Sequence, residues 1–318
     1  GLALLLVLAP LYSSEFVLFQ VGSQTMILGM IALSLMVLAG YGGMVSLAQL
    51  MVAGIAGYVV AIFGSNAVGV WGLDWPWWVV LPMAVILASI AAMLVGMLAI
   101  RTLGIYTIMI TLAIATAFFY FCQQNYALFN GFAGYRGIAP PAWFGVDWRA
   151  ATPFYYLCLA ASSVAFFAVI YLARTPFGLA LMATRDNPRR MSAVGYNVTH
   201  IRIIAYGLAG VIAGAAGILY VWFNGRISPG TISVAETISI LVIAVIGGMR
   251  HPLGPFLGSF LYIILKTFAI DLVGADRFNS LIGLVFLAIV LLSPDGLLGF
   301  ATFFRRNINR LIPTQQSD

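Results

Sequence analysis

Long apolar runs, separated by short polar or glycine-rich segments, form the main pattern of this chain. Residues 79–100 and 201–223 are apolar on every face of a helix, and each run is long enough to cross about 30 Å of hydrocarbon. A membrane β-barrel would alternate apolar and polar positions instead. The pattern therefore predicts an all-α, polytopic membrane protein in the lipid bilayer. We assign about ten transmembrane or half-membrane helices to residues 1–11, 21–40, 46–63, 79–100, 104–122, 153–173, 203–223, 236–248, 255–270 and 278–292.

The segment 174–202 is a long polar connection between two apolar runs, and it carries five arginines. Loops rich in arginine and lysine stay on the cytoplasmic side of a membrane. Counting spans outward from this loop predicts that both termini face the cytoplasm (N-in, C-in) and that residues 123–152 form a loop on the outer face. We expect residues 1–318 to form a single transmembrane domain.

Helix signals divide this cytoplasmic loop into two short helices. Thr175 can cap a first helix with Pro176 at its first position, and Asn187 with Pro188 repeats the arrangement. Gly195 suits the end of the second helix. Two short, partly apolar helices at the cytoplasmic face of a membrane protein are typical of a docking surface for another protein.

The composition supports the membrane assignment. Hydrophobic residues make up 63% of the chain and charged residues only 8%, with a mean hydropathy of +1.05, whereas a soluble domain is about 25% charged. The net charge of +6 follows from positive-inside topology, because the arginines cluster at loop ends and in the C-terminal tail. We therefore predict no nucleic-acid partner.

The sequence offers no pattern for ATP hydrolysis, metal binding or catalysis. Its one lysine, Lys266, is not preceded by glycine, so there is no phosphate loop, and ATP energy must come from a partner. His200 and His251 stand far apart, and neither has a carboxylate or a second histidine within a helical turn. We predict no catalytic residue, no metal site and no cofactor in this chain. Lys266 lies near a helix end, from which it can snorkel to the surface.

Cys122 and Cys158 fall near the outer ends of consecutive spans. A disulfide between them is conceivable. Two buried free thiols are the favoured interpretation.

Glycines are set at helical spacing in two of the apolar runs. Small residues at this spacing let helices approach closely. The two sets are Gly207, Gly210, Gly214 and Gly217, and Gly254 and Gly258. Packing within this chain is the favoured interpretation, and a subunit interface or a conduit with sliding walls is the alternative.

The segment 40–49 places three glycines, a serine and a glutamine at a membrane boundary. Broken helices of this kind are tolerated where they are buried in protein or line a water-filled cavity. Gly42, Gly43, Ser46 and Gln49 are therefore candidates for a translocation path, since they offer room and weak hydrogen bonds without fixed charge. Packing of Ser46 and Gln49 against neighbouring helices is the alternative.

Five ordered motifs connect the chain to a known family. They are GYGGMVSLAQ at residues 40–49, TPFGLALMATRDN at 175–187 leading into AVGYN at 193–197, AGAAGILY at 213–220, GGMRHPLGP at 247–255 and SPDGLLG at 293–299. Together they resemble the LivM type of permease from branched-chain amino-acid ABC importers. The resemblance runs from residue 21 to the tail.

The resemblance implies a permease subunit, not an enzyme, that moves branched-chain amino acids or a related small polar solute across a bacterial inner membrane. It implies a second, LivH-like permease, a periplasmic substrate-binding protein, and LivG-like and LivF-like ATPase subunits that bind ATP and magnesium. A secondary carrier or channel is the alternative, but the intramembrane charge or selectivity ring that it needs is scarce in these spans, where Lys266 is the exception. A membrane-embedded enzyme would need a nucleophile and a base at depth.

Two loops are candidate surfaces for these partners. The family's coupling helices fall on residues 176–184 and 188–194, where apolar side chains would fill an ATPase groove and charged ones would lie at its rim. The residues expected there are Gly178, Leu179, Leu181, Met182, Arg185, Asp186, Asn187, Arg189, Met191 and Gly195, with Leu179, Leu181, Met182 and Met191 in the groove. The outer loop 123–152 carries Arg136 and Arg149, which either dock the binding protein or belong to a loop that only covers the outer mouth.

Overall fold

The computed structural model describes residues 14–67, 72–102, 104–141, 145, 148–269 and the isolated positions 10, 12, 283, 284, 287, 296, 297 and 299. We number its helices α1 (Val17–Tyr41), α2 (Gln49–Phe63), α3 (Trp77–Ala99), α4 (Ile105–Gln124), α5 (Ala151–Arg174), α6 (Pro176–Asp186), α7 (Pro188–Ala193), α8 (Val198–Asn224), α9 (Val234–Gly247) and α10 (Gly254–Ile264). Single helical turns lie at Tyr126–Phe129, Gly131–Ala133 and Pro229–Ile232. Two short strands, β1 (Tyr135–Arg136) and β2 (Arg226–Ile227), pair antiparallel.

Helix α1 is the central helix of the bundle. Its middle segment, Gln24–Met36, has no charged residue and is buried at every position after Gln24. A helix that is apolar all round needs cover on every side, and α1 obtains it from α5, α8, α9 and α10. The helix begins and ends in π-helical turns, Val17–Ser23 and Val37–Tyr41.

Helices α3 and α8 pack through small residues. Ala88 and Ala92 of α3 are buried one turn apart, and a Cβ added to Gly210 of α8 would lie 2.5 Å from the Ala92 methyl. The Ser89 hydroxyl donates to the Gly207 carbonyl oxygen at 3.0 Å. The glycine spacing of α8 therefore serves packing within the chain, which confirms the favoured interpretation.

Helices α9 and α10 also approach through glycine. A Cβ added to Gly258 would lie 2.1 Å from the Ile243 carbonyl oxygen, and one added to Gly247 would lie 1.9 Å from the Gly254 carbonyl oxygen. Real Cβ atoms are not found this close to a backbone oxygen, so only hydrogen fits. The second glycine set thus also serves packing within the chain.

Six helices among the described residues are long and apolar enough to cross a membrane: Val17–Tyr41, Trp77–Ala99, Ile105–Gln124, Ala151–Arg174, Val198–Asn224 and Pro229–Gly247. They confirm the spans predicted at 21–40, 79–100, 104–122, 153–173, 203–223 and 236–248, and the last is longer than predicted because a helical turn precedes it. The spans predicted at 46–63 and 255–270 correspond to shorter apolar helices, Gln49–Phe63 and Gly254–Thr267. Apart from isolated positions, the spans predicted at 1–11 and 278–292 lie outside the described residues. The described part of the chain thus holds six helices of spanning length and two shorter apolar ones, and the total of about ten stays a prediction.

The span predicted at 46–63 is wrong at its start. Helix α2 has 15 residues, a length of about 22 Å, which is short of the roughly 30 Å of hydrocarbon. The residues before it, 42–48, are irregular, and the Leu47 N–H donates to Oγ1 of Thr111 in α4 at 3.0 Å. Because Thr111 lies six residues past Ile105, the start of α4, the irregular segment enters the bundle by about 9 Å.

Cys122 and Cys158 are both buried and both free. This confirms the favoured interpretation of two free thiols over a disulfide. Both side chains belong to the apolar core of the bundle, where a thiol packs as a small hydrophobic group.

Candidate functional site

The loop 174–202 folds into the two helices that the sequence predicted, α6 and α7. The Thr175 hydroxyl accepts a hydrogen bond from the Gly178 N–H at 3.2 Å, and the Asn187 side-chain oxygen accepts one from the Arg190 N–H at 3.0 Å. Both caps satisfy N–H groups that a helix leaves without an internal partner. We call this end of the bundle the loop end.

Gly195 ends the second helix, as predicted. Its φ of +98° lies in the left-handed region. Its N–H donates to the Ser192 carbonyl at 3.0 Å, and the Tyr196 N–H donates to the Met191 carbonyl at 3.1 Å. This pair of bonds is a Schellman motif, in which a left-handed glycine satisfies the last carbonyls of a helix.

Gly178 lets α6 lie close to the end of α5. A Cβ added to Gly178 would be 2.0 Å from the Leu172 carbonyl oxygen. The Thr175 hydroxyl also donates to that carbonyl, at 2.7 Å. Gly178 is therefore buried at a helix junction, where it sets the angle at which α6 leaves α5.

The exposed apolar surface of α6 and α7 differs from the prediction. Leu179 is 58% exposed and suits a partner's groove, whereas Leu181 is 0% exposed. Leu181 faces the chain's own core beneath Gly42, so the prediction that it fills an ATPase groove is wrong. Met182 and Met191 are partly buried and pack against the core.

Two exposed apolar residues of this surface were missed from the sequence. Val194 is 74% exposed and Tyr196 is 50% exposed, on either side of Gly195. Their apolar character within a polar, arginine-rich loop was the available signal. We call Leu179, Met182, Met191, Val194 and Tyr196 together the docking face.

Arg185 attaches α6 to the end of α1. Its Nη1 donates to the Gly40 carbonyl oxygen, and its Nε donates to Oδ1 of Asp186 at 2.9 Å. Gly43 lies directly beneath the side chain, since a Cβ added there would be 2.5 Å from Arg185 Cγ, and its φ is +67°. Glycine adopts that backbone conformation without strain. Arg189 is exposed on α7, and its predicted place at the rim of an ATPase contact stays a prediction.

Four of the five sequence motifs meet at the loop end. A Cβ on Gly40 would lie 2.2 Å from the Met249 carbonyl oxygen, and one on Gly42 would lie 3.5 Å from Cδ1 of Leu181. A Cβ on Gly296 would lie 2.6 Å from the Cα of Gly248. The motif at 40–49 therefore contacts those at 175–187 and 247–255, and the motif at 247–255 contacts Gly296 of the last one.

Ser46 and Gln49 are buried where the irregular segment meets α2, at 0% and 2% exposure. The Ser46 hydroxyl accepts from the Ala48 N–H at 3.4 Å. The Ser34 hydroxyl of α1 lies 3.1 Å from Oε1 of Gln49. The two side chains pack between helices in this conformation, and their role in a translocation path stays a prediction.

The opposite end of the bundle, which we call the ribbon end, carries exposed arginines. The register of β1 and β2 places Arg136 opposite Arg226, and both side chains are exposed. Arg149 is exposed as well, and one of its guanidinium nitrogens lies 3.1 Å from an added Cβ on Gly225. Like charges directly opposite each other destabilise a ribbon, so this face suits an anionic partner. The sequence did not indicate that Arg226 lies near the other two arginines, because this proximity depends on the pairing of β1 with β2.

A cavity of about 210 Å³ lies at the ribbon end, lined by residues that include Asp74, Trp75, Trp222 and Val60. It touches α2 at Val60, which is 11 residues from Gln49, or about 16 Å along the helix. The cavity and the buried segment before α2 are therefore separate features. Among the described residues, no group of three or more His, Cys, Asp or Glu side chains is placed to hold a metal ion.

A bundle with six helices of membrane-spanning length among the described residues, and a capped helix pair fixed to the end of its central helix, is the architecture of a multi-pass membrane protein. The chain belongs to the family described as the permease component of the branched-chain amino acid transport system, whose family model matches residues 17–293. Members of this family are permease subunits of ABC transporters and not enzymes themselves.

Curated relatives agree with the family. The chain is 24% identical over 303 residues to the LivM permease protein of Salmonella typhimurium, and 25% identical over the same length to that of Escherichia coli. Each alignment covers 88% of this chain and 69% of the relative. A nucleoside ABC transporter permease protein of Lactococcus lactis, NupC, is 33% identical over 108 residues, which is 34% of this chain and 33% of NupC. No solved structure matches the chain.

Proposed function

We propose that this permease carries branched-chain amino acids, or a related small polar solute, through a bacterial inner membrane into the cytoplasm. The relatives that align over most of the chain are named for branched-chain amino acids. The arginine content of the loop 174–202 supports a cytoplasmic loop end and a periplasmic ribbon end. ATP hydrolysis comes from partner subunits, because the sequence has no phosphate loop.

One observation carries this proposal: α6 is attached to the broken end of the central helix α1. Arg185 donates to the Gly40 carbonyl and covers Gly43, while Leu181 packs beneath Gly42. A movement of α6 that a cytoplasmic partner causes is therefore transmitted through these contacts to the segment 42–48. Coupling between sites needs a continuous set of packed contacts of this kind.

The docking face is the contact for the LivG-like and LivF-like ATPases. Its exposed Leu179, Val194 and Tyr196 supply apolar anchors, and the exposed Arg189 and Arg190 of α7 supply a polar rim. Interfaces commonly have this arrangement, with apolar anchors inside and charges outside. The role of Arg185 differs from that of Arg189, because Arg185 is bonded to its own chain.

The other partners use the remaining surfaces. Helices α3, α4 and α5 expose apolar side chains such as Leu94, Met109 and Phe167, which suit lipid and a second, LivH-like permease. The arginines at the ribbon end, Arg136 and Arg149 with Arg226, suit acidic groups on a periplasmic substrate-binding protein. The passage includes Gly42, Gly43, Ser46 and Gln49, where irregular backbone enters the bundle.

A pull-down of the assembled importer tests the docking face. A Leu179→Asp, Val194→Asp double variant should insert normally but recover at least about tenfold less ATPase, since a charge in an apolar groove costs several kcal/mol. The matched control is Phe132→Asp, which also places a charge on an exposed apolar residue but at the ribbon end. Equal ATPase recovery and equal leucine uptake by wild type and the double variant would contradict the proposal.

A further inference from the structure

The N-terminus of α2 is buried and has no cap. Its first three residues, Gln49, Leu50 and Met51, are only 2–3% exposed, and the N-cap residue Ala48 supplies no side-chain hydrogen bond. The first N–H groups of a helix have no acceptor within the helix. The first helical bond here is the one from Val52 to Ala48. Within the described residues, no side chain caps the N–H groups before it, and a buried N–H group that lacks an acceptor costs about 1–3 kcal/mol.

The Gln49 side chain adds an unpaired donor at the same place. Its Nε2 is buried and has no hydrogen-bond partner among the described residues, while its Oε1 lies 3.1 Å from the Ser34 hydroxyl. The Ser34 hydroxyl also lies 2.6 Å from the Ile31 carbonyl oxygen, and a hydroxyl has one hydrogen to donate. Exchanging the amide oxygen and nitrogen would let Nε2 donate once to Ser34. In either orientation at least one N–H of the amide lacks an acceptor.

The side chains that bond to this segment, Ser34, Ser46 and Thr111, are all neutral. The start of α2 lies inside the bundle near Thr111, about 9 Å past the start of α4. A helix N-terminus carries about half a positive charge, and nothing among these contacts neutralises it. Uncapped helix starts within a membrane bind anionic groups of a substrate in this way.

We propose that the buried start of α2 is a carboxylate subsite of the translocation path. It receives the α-carboxylate of a small amino acid through the N–H groups of Gln49, Leu50 and Met51 and the Gln49 amide, with Ser46 alongside. The subsite rests on the proposed function and deepens it, because it selects a carboxylate-bearing solute over an uncharged one. All its donors are neutral, so binding is weak enough for release. The irregular segment 42–48, which Arg185 contacts at Gly43, parts to admit the solute.

The test uses the assembled importer with its partner permease, ATPases and binding protein in proteoliposomes. Gln49→Glu places a carboxylate permanently on these donors, so uptake of radiolabelled L-leucine should fall about tenfold or more while ATP hydrolysis continues. Because the new carboxylate can accept hydrogen bonds from the N–H groups at this helix start, the unfolding temperature should rise by a few degrees. Gln49→Met, similar in size but without a donor, should lose uptake severalfold without that rise. Gln24→Glu on α1 is the matched control and should keep wild-type uptake.

A second measurement addresses the ligand directly. L-leucine should raise the unfolding temperature of the wild-type complex without its binding protein, and leucinol, which lacks the carboxylate, should not. Wild-type uptake in Gln49→Glu would overturn the subsite and leave ordered water as the occupant. Lost uptake with a lowered unfolding temperature would mean damaged packing and would overturn it too. A wild-type complex that moves no leucine would contradict the proposed substrate itself, which separates failure of the function from failure of the subsite.

Discussion

Arg185 joins two parts of the chain that lie 145 positions apart in sequence. Its aliphatic stem covers Gly43, and its guanidinium bonds the Gly40 carbonyl at the C-terminal end of α1. A cation near the end of a helix interacts favourably with the negative end of the helix dipole. The neighbouring Asp186 pair is exposed, so it adds at most about 1 kcal/mol. Arg185 therefore acts mainly through its contact with α1.

Arg185→Ala should uncouple ATP hydrolysis from transport. Removing the side chain frees α6 from the residues 40–43, so we expect leucine uptake to fall about tenfold while ATPase recovery and basal hydrolysis stay close to wild type. The measurement is the ratio of leucine transported to ATP hydrolysed in proteoliposomes. Arg174→Ala is the matched control, because Arg174 is an exposed arginine at the start of the same loop and has no part in the docking face. An unchanged ratio in Arg185→Ala would refute the attachment as a coupling contact.

Sequence motifs identified most of these residues but not their contacts. The GYGGM run and the TPFGLALMATRD run each predicted a functional segment, the first as a passage and the second as a docking surface. That Arg185 of the second lies on Gly43 of the first depends on how α6 folds back. The burial of Leu181 has the same cause. A substitution at Gly43 therefore disturbs α6 as well as the passage.

At the scale of elements, local signals predicted α6 and α7 and failed for α2. The starts of α6 and α7 are determined by Thr175 and Asn187, whose caps act within three residues, and both helices end within two residues of the predicted ends. The apolar run from residue 46 predicted a longer helix. Its first residues are irregular because the Leu47 N–H bonds to Thr111, a tertiary contact that hydrophobic periodicity does not reveal.

Asn187→Ala should loosen α7 without unfolding the bundle. The substitution removes the acceptor for the Arg190 N–H, and loss of such a cap costs about 1 kcal/mol, which is large for a six-residue helix. Amide hydrogen exchange of residues 190–193 should therefore become about five times faster. Asn197→Ala removes the matching cap of α8 and serves as control, since it should leave α7 unchanged. Equal exchange of α7 in wild type and Asn187→Ala would contradict the prediction.

The whole molecule has two chemically different ends joined by a glycine-packed bundle. The loop end gathers four sequence motifs around backbone contacts at Gly40 and Gly248, and the ribbon end presents Arg136 opposite Arg226. The apolar pattern predicted the bundle because spanning length and composition are properties of each segment alone. It did not predict which ends of which segments meet. The pairing of β1 with β2 brings together residues about ninety positions apart in sequence.

The ribbon end yields a prediction for the complete importer. If Arg136 and Arg226 receive acidic groups of the binding protein, an Arg136→Glu, Arg226→Glu double variant should weaken binding about tenfold at low salt. The difference should shrink as salt is raised, because exposed charges are screened beyond about 10 Å at 0.1 M ionic strength. The measurement is the Kd of the purified binding protein for the permease complex at two salt concentrations.

The control variant is Arg101→Glu, which changes an exposed arginine near the end of α3 and should bind like wild type. A double variant with wild-type Kd at low salt would show that the two arginines lie outside the contact, and the outer loop would then only cover the mouth of the path.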